Sequence, residues 1–169
     1  MFSANKKWVY LVILSLIWGT SFILIKKALI GLDPYQLGAL RTIITGLFLF
    51  IAGYKTIKSI KKSEWKWVAI SGFLGSFFPS FFFAIAETEI DSAVVSILNS
   101  LVPLNTILLG FAVFKIASTR RQVFGVIIGF IGTAILILKG AELNPAQNYL
   151  YAGYVIASTL MYAANVNII

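Results

Sequence analysis

The sequence predicts an all-α membrane protein, a bundle of about six transmembrane helices. Three observations carry that expectation. First, 59% of the 169 residues are hydrophobic and 12% are charged, against about 45–50% and about 25% in soluble domains. Mean hydropathy is +0.91. Second, the apolar residues fall into six runs near the ~20 residues needed to cross a bilayer. Third, most lysines and arginines collect in alternate gaps between the runs, a pattern of topology control rather than a nucleic-acid-binding face. Helix is the expected state throughout, because a spanning segment must satisfy its own backbone and barrel strands would alternate in polarity.

The first run covers residues 8–25 and the second 35–54. The gap Gly31-Leu32-Asp33-Pro34 between them reads as a tight turn, with Pro34 suited to open the next helix. The third run is 65–86, the fourth 93–114, the fifth 123–138 and the sixth 149–169. Asn144-Pro145 marks the turn before the last. One set of run ends carries Lys6, Lys7, Lys55, Lys58, Lys61, Lys62, Lys66, Lys115, Arg120 and Arg121; the other set carries Lys26, Lys27 and Lys139. The acids Asp33, Glu87, Glu89, Asp91 and Glu142 accompany the second set. The positive-inside rule therefore places the N-terminus in the cytoplasm of a cell-membrane, multi-pass protein. Lys6-Lys7 resembles a signal-peptide n-region, but the run exceeds signal length and no A-x-A-like cleavage site follows it.

Net charge is +8, with no cysteine and no histidine. Disulfides and a cysteine metal site are excluded, and the commonest metal ligand is missing. No metal, cofactor or catalysis is expected: no carboxylate pair falls within a run.

Polar residues inside the runs form stripes. On the fourth run, Ser92, Ser96, Asn99, Ser100, Pro103 and Thr106 share a helical face. On the third, Gly72, Gly75, Ser76, Pro79 and Ser80 do likewise, and on the first Ser15, Gly19 and Phe22 lie beside Trp18 and Ser21. These faces can line a polar cavity, with Pro79 and Pro103 permitting bends. Close packing is the competing reading, favoured for Gly19, Gly72 and Gly75. The Gly125-x-x-x-Gly129 motif and Gly132 on the fifth run also read as packing. Arg41 is a charge well inside a run, and it either snorkels or faces a cavity. Lys26 falls on the face of Ser15, Gly19 and Phe22 and is expected to turn inward near Arg41, with Lys27 snorkelling. Two cations at one mouth favour a substrate with an anionic group.

The sixth run resembles the first at an offset of 144, aligning Tyr154, Thr159, Leu160 and Tyr162 with Tyr10, Ser15, Leu16 and Trp18. It enters the membrane from the opposite side, as an inverted repeat would. Trp18-Gly19-x-x-Phe22, Lys26, Pro34, Arg41 and Pro103, the segment from Asp91 to Pro103, and the glycine-rich stretch Gly125 to Gly140 together resemble the EamA-type repeat of the drug/metabolite transporter superfamily. The resemblance divides the chain into a first five-helix repeat at 1–140 and, at 141–169, the first transmembrane helix of a truncated, inverted second repeat. It implies a transporter, an exporter or exchanger of small metabolites, amino acids or drugs by alternating access. It also implies a central cavity lined by Trp18, Ser21, Phe22, Ser76, Pro79, Ser80, Ser96, Asn99 and Pro103, with Tyr162 and Asn165 from the second repeat. One departure stands out: the family often carries Gly-Glu after the fourth helix, where this chain has Phe114-Lys115. The expected partners are the lipid bilayer and a small-molecule substrate, with a missing C-terminal half or a homo-oligomer completing the path. The alternative is a non-transport multispanning protein or fragment whose helices serve only packing or assembly. A short multidrug exporter is disfavoured, since Glu64 lies in a lysine-rich loop and the other acids at run ends.

Overall fold

The computed structural model describes residues 4–169. It is all-α, with no strand among the described residues. Helix α1 spans Ala4–Ala28 and α2 spans Pro34–Ile57. The turn between them is closed by a capping box. The Asp33 carboxylate accepts from the backbone N–H groups of Tyr35 and Gln36, and the Gln36 side chain accepts from the Asp33 N–H. Pro34 occupies the first helical position, where its missing N–H costs nothing.

The third span, Trp65–Glu89, is not one continuous α-helix. It consists of α3 (Trp65–Gly72), a π-helical turn (Phe73–Phe77) and α4 (Phe78–Glu89). Pro79 explains the wider turn: it has no N–H to donate, and its ring clashes with the carbonyl four residues back. The fourth span, Ser92–Ala112, is divided similarly into α5 (Ser92–Asn99) and α6 (Val102–Ala112), with Pro103 near the start of α6. Lys115 adopts a left-handed φ of 56° just beyond α6, and Ile116 N–H donates to Gly110 O, closing that helix end.

Helix α7 (Arg120–Leu143) opens on a second capping box, between Thr119 and Gln122. A 3₁₀ turn at Tyr149–Tyr151 then leads into α8 (Ala152–Ile168). Among the described residues, five helical spans are long and apolar enough to cross a membrane. Helix α8 has 17 residues, at the lower limit of ~17–25 for a span.

Helix α8 sits among the others, packed against α4, α5, α6 and the π turn. Helix α2 packs on α4, α1 on α4 and α5, and α7 on α5 and α6. The core joins Phe22, Ile25, Leu37, Phe83, Ile90, Val95, Leu98 and Val155. Most of it lies toward the acid-bearing ends of the helices.

Two polar contacts, one buried and one half-buried, fasten α8 to α6. Asn105 Nδ2 donates to Thr159 Oγ1 at 2.9 Å, both residues being fully enclosed. Asn167 Nδ2 donates to Thr106 O at 3.0 Å and to Ala163 O at 2.8 Å. Such bonds hold helices together where lipid removes the hydrophobic drive.

The glycines expected to pack behave in two ways. A Cβ at Gly75 would come within 2.5 Å of Asn165 Nδ2, and one at Gly129 would collide with the Leu104 side chain. These two are close approaches. Gly19, Gly72, Gly125 and Gly132 have nothing within 4 Å of that position. The packing expected at those four is therefore not made within this chain, because α1, α3 and α7 turn those faces away from the bundle.

Candidate functional site

Five helices bring polar groups to one place near the acid-bearing ends. Helix α1 contributes Lys26, α2 Arg41, α4 Glu87, α5 Ser92 and α8 Tyr162. The register of α1 explains Lys26: it lies one turn beyond Phe22, which is buried, and beside Ile25, which is also buried. Lys26 Nζ donates to Glu87 O at 2.7 Å and to Ile90 O at 3.1 Å. It thereby satisfies carbonyls at the C-terminal end of α4, where no further helical N–H is available and a cation is favoured by the helix dipole. Lys27, one position on, is exposed.

Glu87 is 0% exposed. Ser92 Oγ donates to its Oε2 at 2.8 Å and lies 3.1 Å from Phe22 O. The other carboxylate oxygen, Oε1, is buried and has no hydrogen-bond partner. Arg41 is half-buried, and its Nη1 is likewise enclosed without a partner. Glu87 interacts electrostatically with both Lys26 and Arg41, and Arg41 also with Tyr162. None of these is a direct ion pair: among the described residues the one ion pair within 4.0 Å is Lys139–Glu142. Lys26, Leu29, Ile30, Glu87 and Thr88 line an open cavity of ≈ 260 Å³ beside the cluster.

An apolar ladder runs inward from the cluster. The rings of Phe22 and Phe83 lie 5.5 Å apart, and Phe83 stacks with Tyr162 at 6.1 Å. Asn165, one turn beyond Tyr162, sits against Gly75 of the π turn. Its Oδ1 is buried without a partner, as is the Oδ1 of Asn99 on α5. Partnerless buried carboxamides are costly, so each is a place where a ligand or further polar group would be stabilised.

The residues selected from the sequence are thus spread over the bundle. Phe22 and Pro79 are buried, while Ser21, Lys26, Arg41, Ser80, Ser96, Asn99, Tyr162 and Asn165 are half-buried. Trp18, Ser76 and Pro103 are exposed. Ser21 Oγ donates to Trp18 O at 2.8 Å, satisfying itself within α1. Two important residues were not singled out from sequence. Glu87 ends its apolar run and so sorts by sequence with the external acids, and Asn105 falls outside the polar stripe of the fourth run. The only advance signal for Glu87 was its position four residues before Asp91, in a hairpin too short to hold it far from the bundle.

A second connection reinforces the hairpin between α4 and α5. Asp91 N–H donates to Gln147 Oε1 at 3.2 Å, and Gln147 Nε2 donates back to the Asp91 carboxylate. The loop before α8 is thereby fixed to the start of α5.

Residues 6–138 match the family described as the EamA-like transporter family. A protein of Archaeoglobus fulgidus named as an uncharacterized transporter is 30% identical over 131 residues, covering 78% of this chain and 47% of that protein. Protein PecM of Dickeya dadantii is 31% identical over 134 residues, covering 77% of this chain and 43% of its own length. The chain spans about half the length of the curated relatives it matches. No solved structure matches it.

Proposed function

The chain belongs to the EamA-like transporter family, and from that membership we propose that it forms part of a membrane transporter for small metabolites, amino acids or drugs. The transporter works by alternating access, as an exporter or exchanger, with the N-terminus in the cytoplasm. Residues 1–140 form one five-helix repeat, and 141–169 open a second, inverted one. The substrate carries an anionic group that meets Arg41 near the Lys26–Glu87 cluster. Trp18, Ser21, Phe22, Ser76, Pro79, Ser80, Ser96, Asn99, Pro103, Tyr162 and Asn165 border its path.

One observation carries this reading. Groups from five helices converge inside an apolar bundle and leave Arg41 Nη1 and Glu87 Oε1 buried without partners. Helices that served only packing would gain nothing from that arrangement, since each such atom belongs to a charged group, whose desolvation costs more than the about 1–3 kcal/mol of a neutral one. A substrate that supplies the missing partners recovers that cost on binding.

The chain lacks cysteine, so single cysteines report unambiguously. In membrane vesicles, Ser96→Cys, Asn99→Cys and Pro103→Cys are expected to react with a small hydrophilic thiol reagent. Protection at all three, with reaction confined to control cysteines in the loops, would remove the water-filled path and the transporter reading with it.

A further inference from the structure

We infer that Glu87 is a specificity-determining residue that limits the anion accepted beside Arg41 to a single negative charge. The inference rests on the transporter reading above and concerns the charge class of its substrate. Two cations on separate helices, Lys26 bonded to the Glu87 backbone carbonyl and Arg41 on α2, lie within electrostatic range of one carboxylate, Glu87, without a direct ion pair among the described residues. The Lys26 ammonium is already engaged by the carbonyls of Glu87 and Ile90. Those partners are neutral, so the countercharge to Lys26 is the Glu87 carboxylate beside it. Ser92 and Tyr162 bring hydroxyls to the cluster and no charge. Glu89 and Asp91 are exposed, where water screens them, and Asp91 is engaged by Gln147.

Arg41 is then one positive charge in excess, with Nη1 enclosed and no acid within ion-pair distance. A carboxylate monoanion brings the cluster to neutrality. A phosphate dianion overshoots and leaves a net negative charge in a low-dielectric setting, beside a carboxylate that already occupies the site. The aromatic ladder of Phe22, Phe83 and Tyr162 adjoining the cluster offers a flat apolar wall. The chemistry that fits is therefore a monocarboxylate with an apolar or aromatic body.

The full chain in lipid nanodiscs can be titrated calorimetrically with phenylacetate, phenyl phosphate and 2-phenylethanol at about pH 8, where a phosphomonoester is dianionic. The wild-type chain is expected to bind phenylacetate more tightly than phenyl phosphate. In Glu87→Gln the ratio of the two affinities should move toward phenyl phosphate by about tenfold or more. The double variant Lys26→Met/Glu87→Gln removes one charge of each sign and should restore the wild-type preference. Should Glu87→Gln fail to fold, Lys26→Met alone decides: removing one positive charge should weaken phenylacetate by about tenfold. Phenylacetate binding with an unchanged ratio in Glu87→Gln, or unchanged affinity in Lys26→Met, overturns the role of Glu87 alone. A wild-type chain that binds 2-phenylethanol and neither anion overturns the anionic-substrate reading itself, and the inference with it.

Discussion

The acid-bearing end of the bundle and the lysine-rich end are built on different physical terms. At the acid-bearing end, α1 is held through Phe22, Ile25 and Lys26, and the α4–α5 hairpin is held by Lys26, Ser92 and Gln147. At the lysine-rich end the same helices separate. Trp8 through Leu14 of α1 are exposed, as are Leu47 through Ile51 of α2 and Phe124, Ile127 and Ile128 of α7. Hydrocarbon tails are as apolar as leucine, so apolar faces alone give helices little reason to associate in a bilayer. Association follows the polar contacts and the close approaches at small residues: those of α1 and α2 are concentrated at the acid-bearing end, while α6 and α8 stay joined toward the other end through Asn167. The same concentration puts unsatisfied polar atoms where a substrate can use them.

That contrast can be broken by substitution, with effects falling from one end to the other. Lys26→Met strips the Glu87 and Ile90 carbonyls of their donor and should cost the most, about 2–3 kcal/mol in reversible unfolding from detergent micelles. A cost below that of the inner-face substitutions would show that the lysine is merely adjacent. Gly75→Val forces a side chain into the space of Asn165, and overpacking of this kind should cost about 1–3 kcal/mol. Its signature would be a loosened α8, visible as faster cleavage in the 144–148 loop during limited proteolysis. Asn105→Leu removes the donor to Thr159 and is expected to cost about 0.6–1.7 kcal/mol, the range of interhelical hydrogen bonds in membranes. Thr159→Val should cost a similar amount, and the pair should be less than additive. Leu47→Ala, on the exposed face of α2, should stay within about 0.5 kcal/mol. A large loss there would mean that this face is packed and that the contrast between the ends is overstated.

Much of the fold was legible in advance because hydrocarbon thickness and helical rise leave few choices. The run beginning at Trp65 and the turn at Asp33-Pro34 fall where the helices begin. The interior of the spans was less legible. Pro79 announced a disturbance, but a sequence cannot say whether the helix kinks or widens into a π turn. Pro103 lies beyond the interruption at Ser100–Leu101, which breaks the helical phase between α5 and α6. A stripe drawn with one period along the whole run therefore selects Thr106, whose hydroxyl bonds to Val102 O in its own helix. It passes over Asn105, which reaches α8. Glu87 was missed for a different reason: its burial comes from α1 and α5 folding over the end of α4, a tertiary event with no local signature. Family resemblance supplied candidate residues on the first, third and fourth spans, yet the buried carboxylate at the centre of the cluster came only from the assembled helices.

The central claim is that Arg41 and Glu87, on separate helices and not in direct contact, act as parts of one buried charge cluster. A double-mutant cycle of Arg41→Gln, Glu87→Gln and the combined variant, measured as unfolding free energies under identical detergent conditions, tests it most directly. Removing either group also removes the attraction the other feels, a term lost only once in the combined variant, which is therefore predicted to be less destabilised than the sum of the two by at least about 1 kcal/mol. Additivity within about 0.3–0.5 kcal/mol would show that the two groups do not sense each other and would contradict the account.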